Sequence, residues 1–358
     1  MLLPSDPIAA VTHPDPYPYY AELVQRPIHR DARLGLWIAA SADDVSAVLG
    51  SSLCRVRPPG EPVPAALLDT PAGHIFGHLV RMNDGERHCP LKQAVSATLS
   101  TISTAQAELQ AARWAQNLDL KQHPAALSSH VVGALLGVPG DRLSDVAGWT
   151  RDFVRCIAPG AAADALLRGQ SAAASLLDLF RGLPAMRGRD EAAVSNAIGL
   201  LSQAYDATAG LIGNTLVALA RHADLRAAVA SQPALLRDVL AEVSRYDPPV
   251  QNTRRFVAAD GVVAGQPMRA GDAILVVLAT ANRDPAANAD PSRFDIARPD
   301  RRCFTFGIGA HACPGELLAQ TIAQAGVAQL IADGAVSQSL VNDLTYQPSV
   351  NTRIPVFG

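Results

Sequence analysis

Ten residues in the last sixth of the chain, Phe306-Gly307-Ile308-Gly309-Ala310-His311-Ala312-Cys313-Pro314-Gly315, set one cysteine among three glycines. A cysteine thiolate is a strong, electron-donating ligand for haem iron, provided it is kept deprotonated and shielded from oxidation. Backbone N–H groups turned towards sulfur achieve that. A chain wrapped around a sulfur needs residues that tolerate positive φ, and Gly307, Gly309 and Gly315 offer that freedom on both sides. Cys313 directly precedes a helical run from Glu316, whose N-terminus favours negative charge on the sulfur. His311 is in reach of an anionic group such as a haem propionate. Two blander readings compete: an inert buried cysteine, and a zinc site of Cys303, His311 and Cys313, for which no fourth ligand stands at a familiar spacing.

Elements must hold this segment in place. Residues 28–40 read as two short strands joined at Arg33-Leu34-Gly35, and Ser41 with Asp44 starts a short helix that ends at Gly50. Residues 51–80 are rich in proline and glycine and read as a long loop. From about 85 to 245 alanine and leucine recur at helical period, interrupted at Pro124, Pro139, Pro159 and Pro184. The longest unbroken pattern, Ala192–Ala220, is apolar on most faces, as a central helix should be. Residues 250–280 turn β-rich, and the tail from Pro314 to about Asp333 is helical again. The expected fold is mainly α with small β-sheets, in a single large domain spanning 1–358. At 358 residues the chain exceeds the ~250–300 at which one core usually stops growing, which suits a domain built around something besides its own side chains.

Composition narrows the partners. Hydrophobic residues at 49% and charged residues at 18% make a packed chain, and a net charge of −3 gives no reason to expect nucleic acid or an anionic membrane. Five scattered cysteines form no disulfide framework and suit a reducing cytoplasm. The N-terminus has neither a basic region nor a long apolar stretch, so no signal peptide or membrane anchor is expected.

The cysteine segment resembles the haem-binding signature of the cytochrome P450 family, F-x-x-G-x-x-x-C-x-G, matched by Phe306, Gly309, Cys313 and Gly315. Gly307 and His311 match common additions in bacterial members. The resemblance implies a prism-like helical fold around haem b, with Cys313 as the iron ligand and Phe306 packed against the loop. Glu242-Val243-Ser244-Arg245 resembles the family's E-x-x-R helix, and Pro291-Ser292-Arg293-Phe294 its P-x-R-F element, which implies a structural trio of Glu242, Arg245 and Arg293. By position, His88, Arg255 and His311 match propionate partners, with Arg254 the alternative to Arg255 if the register shifts by one. Lys92 stands where arginine is usual, a point charge in place of a bidentate fork. Ala281-Asn282-Arg283-Asp284-Pro285 also resembles a family stretch.

The family's central helix carries A/G-G-x-D/E-T-T, whose acid and threonine manage protons for bound O2. Here the segment reads Gln203-Ala204-Tyr205-Asp206-Ala207-Thr208, so the acid is kept and the threonine after it is Ala207. Thr208 is the nearest hydroxyl along the chain, but one residue turns its side chain by ~100°. Gln203 lies three residues before Asp206 and four before Ala207, on their face. The Gln203 amide, an ordered water or a substrate hydroxyl is therefore expected to replace the missing alcohol in the hydrogen-bond network. The implied activity is oxidation of a small organic substrate, as in tailoring of secondary metabolites, with O2 and with electrons from a separate ferredoxin and ferredoxin reductase. Arg81, Arg87, Lys92, Arg301 and Arg302 are the expected docking cations. Two alternatives stay open: a peroxide-using or non-hydroxylating relative, and a haem-thiolate protein that binds ligands without turnover. The Arg-Pro pair of fatty-acid peroxide users is absent from this helix.

Overall fold

The computed structural model describes residues 2–358. The chain forms two compact units. The first takes the chain up to Pro58, Ala209–Glu316 and Val327–Gly358, and the second takes Pro59–Thr208 and Leu317–Gly326. No helix among the described residues is long and apolar enough to cross a membrane.

The first unit holds the strands β1 (His29–Asp31), β2 (Leu36–Ala39), β3 (Cys54–Arg55), β4 (Thr253–Val257), β5 (Gly261–Val263), β6 (Gln266–Met268), β7 (Ala273–Val276), β8 (Thr345–Tyr346) and β9 (Pro355–Val356). Five of them make a sheet in the order β1-β2-β7-β4-β3, in which β2 and β7 run parallel and the other pairs antiparallel. Side chains alternate across a strand, and β7 shows it: Ile274 and Val276 pack with Val45, Val48 and Val257. Leu275 and, just past the strand, Val277 pack with Tyr20, Leu23 and Ile38 on the other face. The expected strand pair in 28–40 is β1 and β2, and the helix Ala42–Gly50 begins where Ser41 accepts the Asp44 N–H at 3.1 Å.

The second unit is helical: Pro71–His78, Gly85–Ser100, Thr104–Asn117, Pro124–Leu135, Leu143–Cys156 and Ala163–Gly182. Leu143–Cys156 buries Leu143, Val146, Thr150, Phe153 and Cys156, spaced three or four apart along one face. Gly169 lets Ala163–Gly182 come close, since a Cβ there would stand 2.0 Å from Cys156 Cβ. The expectation of a long loop over 51–80 is corrected by the helix Pro71–His78 and by 3-10 turns at Ala65–Leu67 and Val80–Met82. The local signal is Thr70-Pro71. Thr70 caps the Gly73 N–H at 3.1 Å and Pro71 occupies the first turn, where its missing N–H costs nothing.

The longest helical pattern is the helix Glu191–Arg221, 31 residues and ~46 Å at 1.5 Å per residue. Its first part belongs to the second unit and its remainder to the first. The helix after the cysteine segment is Glu316–Ala332.

Candidate active site

In the first unit, the segment leading to Cys313 is clamped before it turns. Asn282 accepts the Phe304 N–H at 2.6 Å and donates to Thr305 Oγ1 at 2.9 Å. Asn288 donates to the Arg302 carbonyl at 3.0 Å and accepts the Arg302 N–H at 3.0 Å. The stretch around Ala281–Pro285 therefore holds the entry to the cysteine loop. The chain then folds on itself. Gly307 N–H donates to Phe304 O at 2.8 Å, Ala312 N–H to Gly309 O at 3.0 Å and Cys313 N–H to Phe306 O at 2.8 Å.

Gly307 and Gly309 adopt φ of 70° and 67°, the left-handed freedom expected of them. Gly315 does not use it: its φ is −99°, and it flanks the helix start as N-cap. A Cβ at Gly315 would lie 3.9 Å from Cys313 Sγ, an ordinary contact. Cys313 is exposed, two residues before that cap, whereas desolvation pushes the thiols of Cys156 and Cys303 up and holds them protonated. An accessible thiol on a braced turn at a helix N-terminus suits a metal-bound thiolate. Among the described residues no three His, Cys, Asp or Glu side chains converge as a metal site, so the zinc alternative has no geometry.

The loop stands on a charge network with a fully buried ion pair at its centre. Arg245 grips Glu242 with two donors, at 3.0 and 2.6 Å, both side chains having no exposure. It also donates to the carbonyls of Asn282 (3.2 Å), Pro291 (2.9 Å) and Arg293 (3.1 Å). The expected third charge is corrected here. The Arg293 guanidinium points away, 68% exposed, and its residue contributes the carbonyl alone. Arg301 at 3.0 Å and Arg298 at 3.4 Å take the place beside Glu242. With one carboxylate facing three guanidiniums and the Asp295 N–H, Glu242 is held below the usual carboxylate range despite its burial.

A second network had no counterpart in the sequence reading. Arg353, 1% exposed, donates to Asp247 at 3.0 Å and to the carbonyls of Val11, His13 and Pro14. Tyr17 OH also donates to Asp247, and Arg353 lies over the Tyr346 ring at 3.5 Å. Asn214, on the long helix, donates to the Asp247 carbonyl at 2.8 Å, and Gly210 passes so close that a Cβ would meet Arg353 O at 2.8 Å. Arg255 is buried on β4, donating to the Arg254 carbonyl at 2.8 Å. His311 and Phe306 are part-buried in the cysteine loop.

The second unit carries the remaining candidates. His88 is buried and Lys92 part-buried, one turn apart on Gly85–Ser100, with Pro90 between them. Gln203 and Asp206 keep some surface on the long helix, as does Ala207, while Thr208 is 1% exposed. The Gln203 amide donates to the Gly199 carbonyl one turn back, at 3.0 Å. Among the described residues, Thr208 Oγ1 is buried without a hydrogen-bond partner. Burial raises the Asp206 carboxyl above its usual range, with Arg155 pulling the other way.

Two of the five expected docking cations are not at the surface to dock. Arg301 is committed to Glu242, and Arg81 is part-buried with its Nε shut off from solvent. Arg87 and Arg302 are exposed.

Comparisons with known proteins bear on the whole chain. Residues 192–337 match the family Cytochrome P450. Cytochrome P450 monooxygenase PikC of Streptomyces venezuelae is 30% identical over 350 residues, 88% of this chain and 83% of that protein. The biotin biosynthesis cytochrome P450 of Bacillus subtilis is 24% identical and covers 88% of both chains. The crystal structure of CalO2 superposes with a TM-score of 0.84 at 27% identity, over 100% of this chain and 99% of the other. With a mainly helical fold of this likeness and a relative of this identity along most of its length, the chain belongs to the cytochrome P450 family, monooxygenases that hold haem b.

Proposed function

We propose that the protein oxidises a small organic substrate as a tailoring step of secondary metabolism, drawing O2 and electrons from a separate ferredoxin and ferredoxin reductase. The observation that carries the reading is Cys313: an accessible thiol on a doubly braced turn, ahead of the helix Glu316–Ala332. P450 RauA, 25% identical with a TM-score of 0.80 and solved with a biosynthetic intermediate of aurachin RE, lends the substrate class its support by likeness.

Haem b, when bound, supplies the redox-active iron at which oxygen is activated. Cys313 is assigned as the iron ligand, its negative charge favoured by the helix N-terminus, and Gly307 and Phe306 shape the turn around it. His88, Lys92, Arg255 and His311 are assigned to propionate charge. Asp206 holds a proton more readily than an exposed carboxylate and is assigned to the proton route, with Arg155 limiting how far its affinity rises. Gln203 keeps its carbonyl oxygen available while its N–H₂ group is tied to Gly199. It is assigned the orienting role for which relatives use a hydroxyl. Thr208 is the weakest of the three, its hydroxyl being sealed in the helix packing.

Ala207 favours one second reading, a member that takes peroxide directly or catalyses something other than hydroxylation. A metabolite panel screened for a blue shift of the Soret band, followed by turnover with a surrogate ferredoxin pair, decides between them. Product that requires reductase supports the first reading, and product formed with peroxide and no reductase supports the second.

A further inference from the structure

Arg81 sits on the 3-10 turn Val80–Met82, and the turn is held from both sides. Asn196 of the long helix accepts the Val80 N–H at 2.8 Å and donates to the His78 carbonyl at 2.7 Å. Asn83 folds back to donate to the carbonyls of Leu79 at 2.8 Å and Gly77 at 3.1 Å. Leu79 packs so tightly on the long helix that a Cβ at Gly199 would meet Leu79 Cδ2 at 2.7 Å. The turn is thus bolted between Asn196 and Gly199, on the helix that carries Gln203 and Asp206 about one to two turns further on.

What this rigid turn presents is a part-buried cation whose Nε finds no partner in the described chain. Among the described residues, Arg81 Nε is sealed from solvent and has no hydrogen-bond partner. Desolvation alone pushes the guanidinium down to about 10, with no carboxylate near enough to oppose it. It stays charged at neutral pH all the same. The two fully buried arginines are engaged by the chain itself: Arg245 meets Glu242 and three carbonyls, and Arg353 meets Asp247 and three carbonyls. A buried charge without a partner is costly, and a fixed guanidinium fork matches a carboxylate. Lys92, a point charge where a guanidinium is usual, leaves this unit's assigned propionate partners without such a fork.

We propose that Arg81 is a carboxylate receptor, its counter-charge supplied by a bound molecule and not by the chain. Two sources offer that chemistry, a haem propionate or an acid group on the organic substrate. The inference rests on the proposed haem reading, and the two fail separately, because the test is made on wild-type protein already showing its thiolate-haem spectrum.

Arg81→Met keeps the aliphatic stem and removes the charge, while Arg81→Lys keeps the charge and removes the fork. Haem release to apomyoglobin is followed alongside Soret titrations with dodecanoate and its methyl ester. If the source is a propionate, Arg81→Met releases haem roughly tenfold faster or more, with Arg81→Lys in between. If the source is the substrate, haem release is unchanged, wild type prefers the acid to the ester by about tenfold or more, and Arg81→Met loses that preference. Haem release within about twofold of wild type in both variants, together with an unaltered acid-to-ester ratio, overturns the proposal.

Discussion

The polar groups around Glu242 and those on the part-buried helix segment Gln203–Thr208 are built on opposite rules. Near Glu242 each charge has its partner within the chain: one carboxylate, three guanidiniums and a backbone N–H, with Asn282 and Asn288 satisfied nearby. On the helix, Asp206 is held above its usual range by burial and Thr208 Oγ1 has no partner. Arg81, on the turn bolted to the same helix, has none for its Nε. Buried polar groups left unsatisfied cost stability and call for an explanation. The first set is scaffold, completing itself. In the second, Asp206 and Arg81 are the groups that the proposed reading assigns to molecules the chain does not supply.

Substitutions separate the two sets. Glu242→Gln should do the most damage, because it leaves three guanidiniums facing a neutral amide: a loss of about 3–5 kcal/mol in denaturant unfolding, with haem retention falling too. Survival of the variant at wild-type stability would erase the contrast. Glu242 should also set an acid limit. Its folded value lies below the ordinary 4.5, so its contribution is present above that value and drains away as pH falls through the lowered one.

Asp206→Asn should cut turnover by about 100-fold or more while leaving haem content intact. Its stability effect has the opposite sign to that of Glu242. A raised carboxyl favours the protonated folded state, so wild type loses stability as pH climbs from 3.8 through the raised value. The asparagine variant should therefore be the more stable near neutral pH, with the gap closing below pH 3.8. An unfolding series against pH that shows no such divergence counts against the assignment.

Gln203→Ala should lower product per electron by about two- to tenfold and raise peroxide leakage. Unchanged coupling would make Gln203 a packing residue. The smallest effect is expected for Thr208→Val, which removes a hydroxyl that bonds to nothing. Stability should move by less than about 1 kcal/mol and turnover should hold. A large fall in turnover would transfer the alcohol's role back to Thr208.

Legibility in the sequence followed the range of the interaction. The cysteine loop is encoded in ten consecutive residues, and the long helix in an unbroken apolar period, so both were readable locally. The helix Pro71–His78 was hidden by its glycines and prolines, although Thr70-Pro71 announces it. Arg293 was expected beside Glu242 because a short pattern names it, yet Arg298 and Arg301 reach that carboxylate from five and eight residues further on. Arg353 carries no local signal, because its hydrogen-bond partners stand 106 and more residues away. Arg81 looked like surface charge, since composition does not reveal which arginines a turn folds inward.

Direct coordination of iron by the sulfur of residue 313 is what joins these pieces. Carbon monoxide added to the dithionite-reduced protein tests it. Wild type should develop the long-wavelength Soret band specific to a thiolate ligand, and Cys313→Ala should lose it. Pigment held equally by both, with no such band in either, would contradict the account.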